Sequence, residues 1–378
     1  MWDINSLKEK QKYVEERLKN CTDNRERELL QLSLVSYSAL LNNSGTFMHT
    51  QIPNIIDKIT QNQFKSKKDI EIGKLEHELF FGNEPYLDEQ YLEFLLQLCN
   101  NVASTDLVEI EGLSFEPMEV TYENLINMSK SFYSQLGDSE IYEMAMKVLN
   151  DDATLNFSTI PRRSMADCSG LTFNDYIFDK SYCTITKKNN VFDYQILNHE
   201  VMHGVDFYMQ KKIPSENYYG FHEVPTYTID YLFIDYLEKM GLPTEQVQLL
   251  RKQKDNYLQE LAKITQMQIK RLLIQQKGYK TSIEPNIQDV MVILTPSIKK
   301  QLLEIQSGVM AYGLKEQIKE NREYGILHLK EFMKSIIPKE QTPDFSYIGL
   351  SAYELLQYSE QIGNYSMQNE NNISARGK

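Results

Sequence analysis

The stretch "ILNHEVMHGVDFY", residues 196–208, constrains this chain more than any other. Two histidines, His199 and His203, stand four apart, with Glu200 directly after the first. On an α-helix, positions i and i+4 share one face with Cβ atoms about 5–6 Å apart. The pattern therefore demands a helix, and the local text supplies one. Ile196, His199, His203 and Phe207 form one stripe, and no Gly or Pro interrupts residues 193–203.

The surrounding text suits such a helix. In 378 residues there are only 16 Gly and 11 Pro, little punctuation for an all-β fold. "LKEKQKYVEERLKN", "RERELLQLSLVSYSALLNN" and "EQYLEFLLQLCNNV" carry apolar residues three and four apart, which predicts amphipathic helices packed on one another. Helical periodicity breaks at residues 109–125, where Gly112 and Pro117 fall, and resumes in "TYENLINMSKSFYSQLGDSEIYEMAMKVLND" with Thr121 as an N-cap. "DYIFDKSYCTITKKNN" alternates β-branched and aromatic residues and predicts a short strand or hairpin ahead of the histidine helix. After Glu223 long helical patterns return, and the polar end "NYSMQNENNISARGK" reads as a disordered tail. The expected fold is mainly α, with a small β element beside the histidine helix. The expected organisation is an N-terminal helical region (1–112), a region that holds the histidine helix (113–363) and the tail (364–378).

Charge and cysteine usage narrow the partners. A net charge of −13 repels phosphate backbones and anionic lipid, which argues against nucleic acid. No apolar run is long enough to span a membrane, and the charged start shows no secretory signal. Cys21, Cys99, Cys168 and Cys183 lie far apart without C-x-x-C spacing, as reduced thiols do. The cytoplasm is the expected compartment.

H-E-x-x-H on a helix is a zinc pattern: both imidazoles bind one ion, and the glutamate beside it can take a proton from the ion's water. A third ligand is then required. Metzincins place a His six residues after the second, with a Gly midway; here Met209 and Asp206 stand there, excluding that class. A Glu from a following helix is the alternative, and "FHEVPTYTIDYLF" offers Glu223. The intervening residues, with Pro214 and Gly220 among them, are enough to end one helix, turn and begin another. Asp230, seven residues beyond Glu223 on the same face, is a candidate to accept a ligand imidazole's N–H; a surface Asp is the bland alternative. One Zn²⁺ per chain is expected.

"HEVMH" followed by Glu223, Pro225, Thr226 and Asp230 resembles the thimet oligopeptidase and oligoendopeptidase F family of zinc peptidases, where the second helix reads E-x-P-S-x-x-x-E. Thr replaces Ser and Asp replaces the second Glu. "FEPMEVTYENL", "IPRRSMADCSG" and "YIFDKSYCTIT" are similar to the family's upstream segments, and "GVMAYGLKEQI" to its C-terminal helices, so the resemblance spans roughly residues 115–360. It implies a cleft between helical lobes, a catalytic region over 113–363 and hydrolysis of short peptides, with substrate along the strand at Tyr182–Thr186, which Tyr182 and Thr184 line. His222 flanks Glu223 and is a candidate to touch substrate or the ion's outer surroundings. The resemblance also implies an oxyanion-stabilising His and Tyr near the C-terminal helices. The His is missing: His328 sits in an ordinary amphipathic pattern and reads as structural, which leaves Tyr312 as the candidate donor. That loss keeps a catalytically weak peptide-binding relative open as an alternative, beside a processing peptidase with a single substrate. Arg162 and Arg163 are candidates for gripping a peptide carboxylate, with plain surface solvation equally open.

Overall fold

Asp3 starts the first helix by accepting the N–H groups of Asn5 and Ser6 at 3.0 and 3.3 Å, donors that a helix's first turn leaves open. That helix, α1 (Ile4–Asn20), is followed by α2 (Asn24–Leu41), which packs along it. The computed structural model describes residues 3–41, 88–103, 114–151, 153–158, 170–210, 221–276, 298–335 and 344–362. The fold described is that of those residues; the predicted tail and Arg162, Arg163 and Cys168 lie outside them.

Helix dominates, with one small sheet, as the periodicity implies. The remaining helices are α3 (Glu89–Val102), α4 (Tyr122–Leu136), α5 (Ser139–Leu149), α6 (Phe192–Met209), α7 (Glu223–Lys239), α8 (Thr244–Gln276), α9 (Ile298–Glu320), α10 (Arg322–Lys334) and α11 over 352–362. Thr121 caps α4 through the N–H of Asn124, as expected. The helical text of 121–151 divides into two helices, however. Gly137 takes a left-handed φ of 83° and Asp138 caps a new helix at Ile141 N, so α4 ends where its sequence supplied both a stop and a start. Asn321 likewise divides α9 from α10 by accepting Tyr324 N.

The residues gather into two compact units, each drawing on distant stretches: 1–61, 115–213 and 232–242 in one, 62–114, 214–231 and 243–378 in the other. Helix α7 runs through the boundary.

In the first unit, β1 (Leu155–Ser158), β2 (Gly170–Asp175) and β3 (Lys180–Thr186) form a sheet in the order β1-β3-β2. β3 lies in the stretch predicted to hold a strand or hairpin; β2, almost wholly ahead of that stretch, pairs with β3 antiparallel, Thr172 opposite Cys183 and Phe173 opposite Tyr182, and β1 joins β3 in parallel. β3 is thus central and paired on both sides. This overturns the expectation that substrate backbone adds along Tyr182–Thr186, because those N–H and C=O groups already serve the sheet.

Alternation sends the two sides of the sheet to different neighbours. Tyr182 and Phe173 face the helical pair, in a cluster with Leu7, Val14, Leu30, Tyr37 and Leu40. Tyr37 donates to the buried carboxylate of Asp175, which also takes the N–H groups of Ile177 (3.0 Å) and Phe178 (3.2 Å) and so shapes the hairpin turn. Ser36 and Ser33 bind the hairpin backbone at Asn174 and Tyr176. The other side meets α6, with the Cys183 thiol 3.4 Å from the Glu200 carbonyl. At the start of α6, Asp193 accepts the N–H groups of Lys188 and Asn189, both at 2.7 Å, and fixes the strand-to-helix turn.

In the second unit α3 packs on α8 and α9, and α9 on α10. Tyr91 donates to Gln306 at 2.6 Å, and Asn101 to Ser359 at 2.9 Å. His328 is 4% exposed; its Nδ1 is 2.8 Å from Gln317 Oε1, and the Gln317 amide binds the Ile348 and Gly349 carbonyls. Burial holds its pKa below the ordinary histidine value. The structural reading of His328 fits this placement.

Candidate metal centre and active site

Helix α6 is buried along most of its length, yet His199 and His203 are each half-exposed, and their rings lie 4.9 Å apart at 85°. Glu223 opens α7. Its carboxylate and the two imidazoles offer one ligand atom each, all within 4.8 Å of one another. Tetrahedral ligands about 2.1 Å from one ion stand roughly 3.4 Å apart, inside that envelope. Two imidazole nitrogens and one carboxylate oxygen are a donor set that suits zinc and leaves one coordination position for water.

Glu223 is held from both sides. Thr226 Oγ1 donates to Oε2 at 2.9 Å, and His222 Nε2 lies 2.9 Å from Oε1. Thr226 is the residue that replaces Ser in the resembled motif, and its hydroxyl gives that position a physical role. His222 reaches the ligand carboxylate itself.

Glu200 is 5% exposed and leans onto the start of β2. Thr172 Oγ1 lies 2.7 Å from Oε2 and 3.0 Å from the Glu200 carbonyl. Gly170 is the platform beneath: a Cβ there would come within 2.4 Å of Oε1, so glycine is required for the carboxylate to occupy this place. Burial raises the neighbouring Cys183 thiol to about 12, which makes it an inert wall rather than a nucleophile. Neither Thr172 nor Gly170 stands out in the sequence, since their contact with Glu200 depends on strand register.

The other candidates are placed as follows. Tyr182 is 3% exposed in the cluster against α1 and α2, its hydroxyl taking Lys10 Nζ at 2.9 Å; Thr184, two residues on, shares its side of the strand. Both point away from the side where Cys183 meets α6. Asp230 is buried and paired with Lys254 Nζ at 2.6 Å. Tyr312 lies edge-on to Tyr231, with ring centroids 5.9 Å apart, and Lys315 Nζ stands 4.2 Å from its ring. Eight residues of helix, about 12 Å of rise, separate Glu223 from Tyr231.

Comparison with known proteins adds the fold. No family model and no curated relative matches the sequence. Among solved structures, Pz peptidase A with an inhibitor aligns over 93% of this chain and 70% of its own, at 11% identity and a TM-score of 0.53. A protein provisionally named oligoendopeptidase F, solved at 3.1 Å, aligns over the same shares at 8% identity and a TM-score of 0.54. The chain has the fold of these oligopeptidases. The resemblance seen in "HEVMH" and "FHEVPTYTIDYLF" is therefore matched in architecture, at an identity too low for sequence comparison to register.

Proposed function

We propose that this chain is a zinc-dependent peptidase of short peptides, with His199, His203 and Glu223 as metal ligands and Glu200 as general base. One observation carries the reading: the three ligand atoms, two of them on the helix that also carries Glu200, lie within 4.8 Å of one another. The fold shared with Pz peptidase A supports the substrate class.

When bound, zinc polarises the scissile carbonyl and lowers the pKa of its water to about 7. Glu200 takes the proton from the attacking water and returns it to the leaving amine. Thr172 fixes one oxygen of the carboxylate that would act as the base. Thr226 and His222 hold Glu223 to its ligand geometry. With β3 central, the outer side of β2, which has no partner strand among the described residues, is where an extended peptide would add.

Among the described residues no helix is long and apolar enough to cross a membrane, and Cys21, Cys99 and Cys183 are buried free thiols. A reducing cytoplasm suits those thiols.

The test pairs metal analysis with cleavage of a quenched peptide mixture by wild type, Glu200→Gln and Glu223→Ala. Zinc near one per chain in wild type and Glu200→Gln, its loss in Glu223→Ala, and cleavage confined to wild type are expected. Zinc binding without cleavage by any form would favour a peptide-binding protein instead. A single strong cut site in a diverse library would favour a dedicated processing enzyme.

A further inference from the structure

Two helices bring phenols to one carboxylate on a third, and one of these phenols stands a helical turn beyond the proposed metal ligand. Glu304, half-buried on α9, accepts Tyr227 of α7 at 3.2 Å and Tyr257 of α8, both on Oε1. Tyr227 follows Glu223 by four residues, on the same helical face. Tyr257 is 46% exposed, so solvent reaches the group. Among the described residues no Lys or Arg pairs with Glu304. The nearby Lys254 is committed to Asp230 at 2.6 Å and stands 3.8 Å from the Tyr227 ring.

The electrostatics run one way. The two phenols are the donors and Glu304 is the acceptor. A partly desolvated carboxylate without a cation bears a desolvation cost that an incoming positive charge offsets. Two aromatic rings beside it favour the same charge.

Resting on the peptidase reading, we propose that Glu304, framed by Tyr227 and Tyr257, is a specificity subsite that takes a positively charged group of the peptide, either a Lys or Arg side chain or a free terminal ammonium. An extended peptide advances about 3.3–3.6 Å per residue, so the favoured charge lies within a few residues of the scissile bond.

The experiment uses the full, zinc-loaded chain and quenched peptides that carry Lys or norleucine at each position near the scissile bond, with free or acetylated N termini. In wild type, Lys at one position, or the free terminus, raises kcat/KM by about two- to fivefold, the worth of one partly exposed ion pair. Glu304→Gln collapses that ratio towards one and Glu304→Lys inverts it. Should the Gln variant fail to fold, Glu304→Asp withdraws the carboxylate by one methylene and must reduce the same ratio. Contrast between the acetylated and side-chain arms tells a terminal amine from a side chain. An unchanged ratio in Glu304→Gln, or equal rates in wild type, overturns the subsite. Calorimetric binding of the same peptides to Glu200→Gln, with and without Glu304→Gln, repeats the comparison without catalysis. Absent cleavage by wild type would thus sink the peptidase reading, while the binding ratios still judge Glu304.

Discussion

Thr172 and Glu200 are joined across a strand and a helix: the threonine hydroxyl lies 2.7 Å from the carboxylate that the proposed mechanism uses as its base. The contact ties the chemistry to the sheet, because Thr172 is placed by its pairing with Cys183 on β3. A charge-assisted hydrogen bond of this kind is worth about 1.5–3 kcal/mol. If it aims the base, Thr172→Val lowers kcat about 10- to 100-fold with little change in KM, and Thr172→Ser restores most of the rate. Steady-state kinetics that show an altered KM and an unaltered kcat would rule this role out.

Gly170→Ala acts on the same carboxylate by contact. The atoms a new Cβ would meet, at 2.4–2.7 Å, all belong to the Glu200 side chain, which can swing away. The variant should therefore melt close to wild type and bind zinc, yet lose most of its kcat. Calorimetry and kinetics on one preparation check both halves, and a large drop in Tm would mean that the backbone, not Glu200, gives way.

Thr226→Val removes the hydroxyl behind Glu223 Oε2. Partners of metal ligands typically contribute 10- to 100-fold in metal affinity, so zinc binding should weaken by about that factor while the fold persists. Competition with a chelator measures it; unaltered affinity would show that Glu223 needs no support from Thr226.

Asp255 predicts a pH effect on stability. Burial lifts its pKa to about 6, against the opposing pull of Arg251, Lys315 and Lys254. Its folded value exceeds the unfolded one, so the native state binds a proton more readily, and the ionised form burdens the fold above about pH 6. That burden fades as pH falls through 6 towards the unfolded value near 4. Asp255→Asn should accordingly stabilise the protein by about 1–2 kcal/mol at pH 7–8, less than full conversion of the shift because the side chain keeps some solvent contact. The gain should vanish near pH 4. Denaturant melts across that range decide it, and a gain independent of pH would point to packing instead.

What the sequence could reveal followed from the range of each interaction. His199 and His203 are related by one helical turn, and Glu223 by a second helix that begins at that residue, so local periodicity sufficed to bring the three proposed ligands into view. β3, as a strand or one arm of a hairpin, was legible from alternation. Strand order was not: β1 joins β3 from a stretch 25 residues earlier, and nothing local shows that β3 lies in the middle. Thr172, Gly170 and Glu304 escaped for the same reason, since each matters through a partner on another element. Tyr182 read as substrate-lining from its strand, but a strand's text does not say which side α1 and α2 will cover.

The helical pair at the start of the chain acts as a back wall. Tyr37, Ser33 and Ser36 grip the hairpin from behind while Thr172, at its front, steadies Glu200. A shortened protein begun beyond residue 41 would leave Tyr182 and Phe173 facing water and the hairpin unbraced, so the region with the least chemistry of its own keeps the carboxylate proposed as the base level.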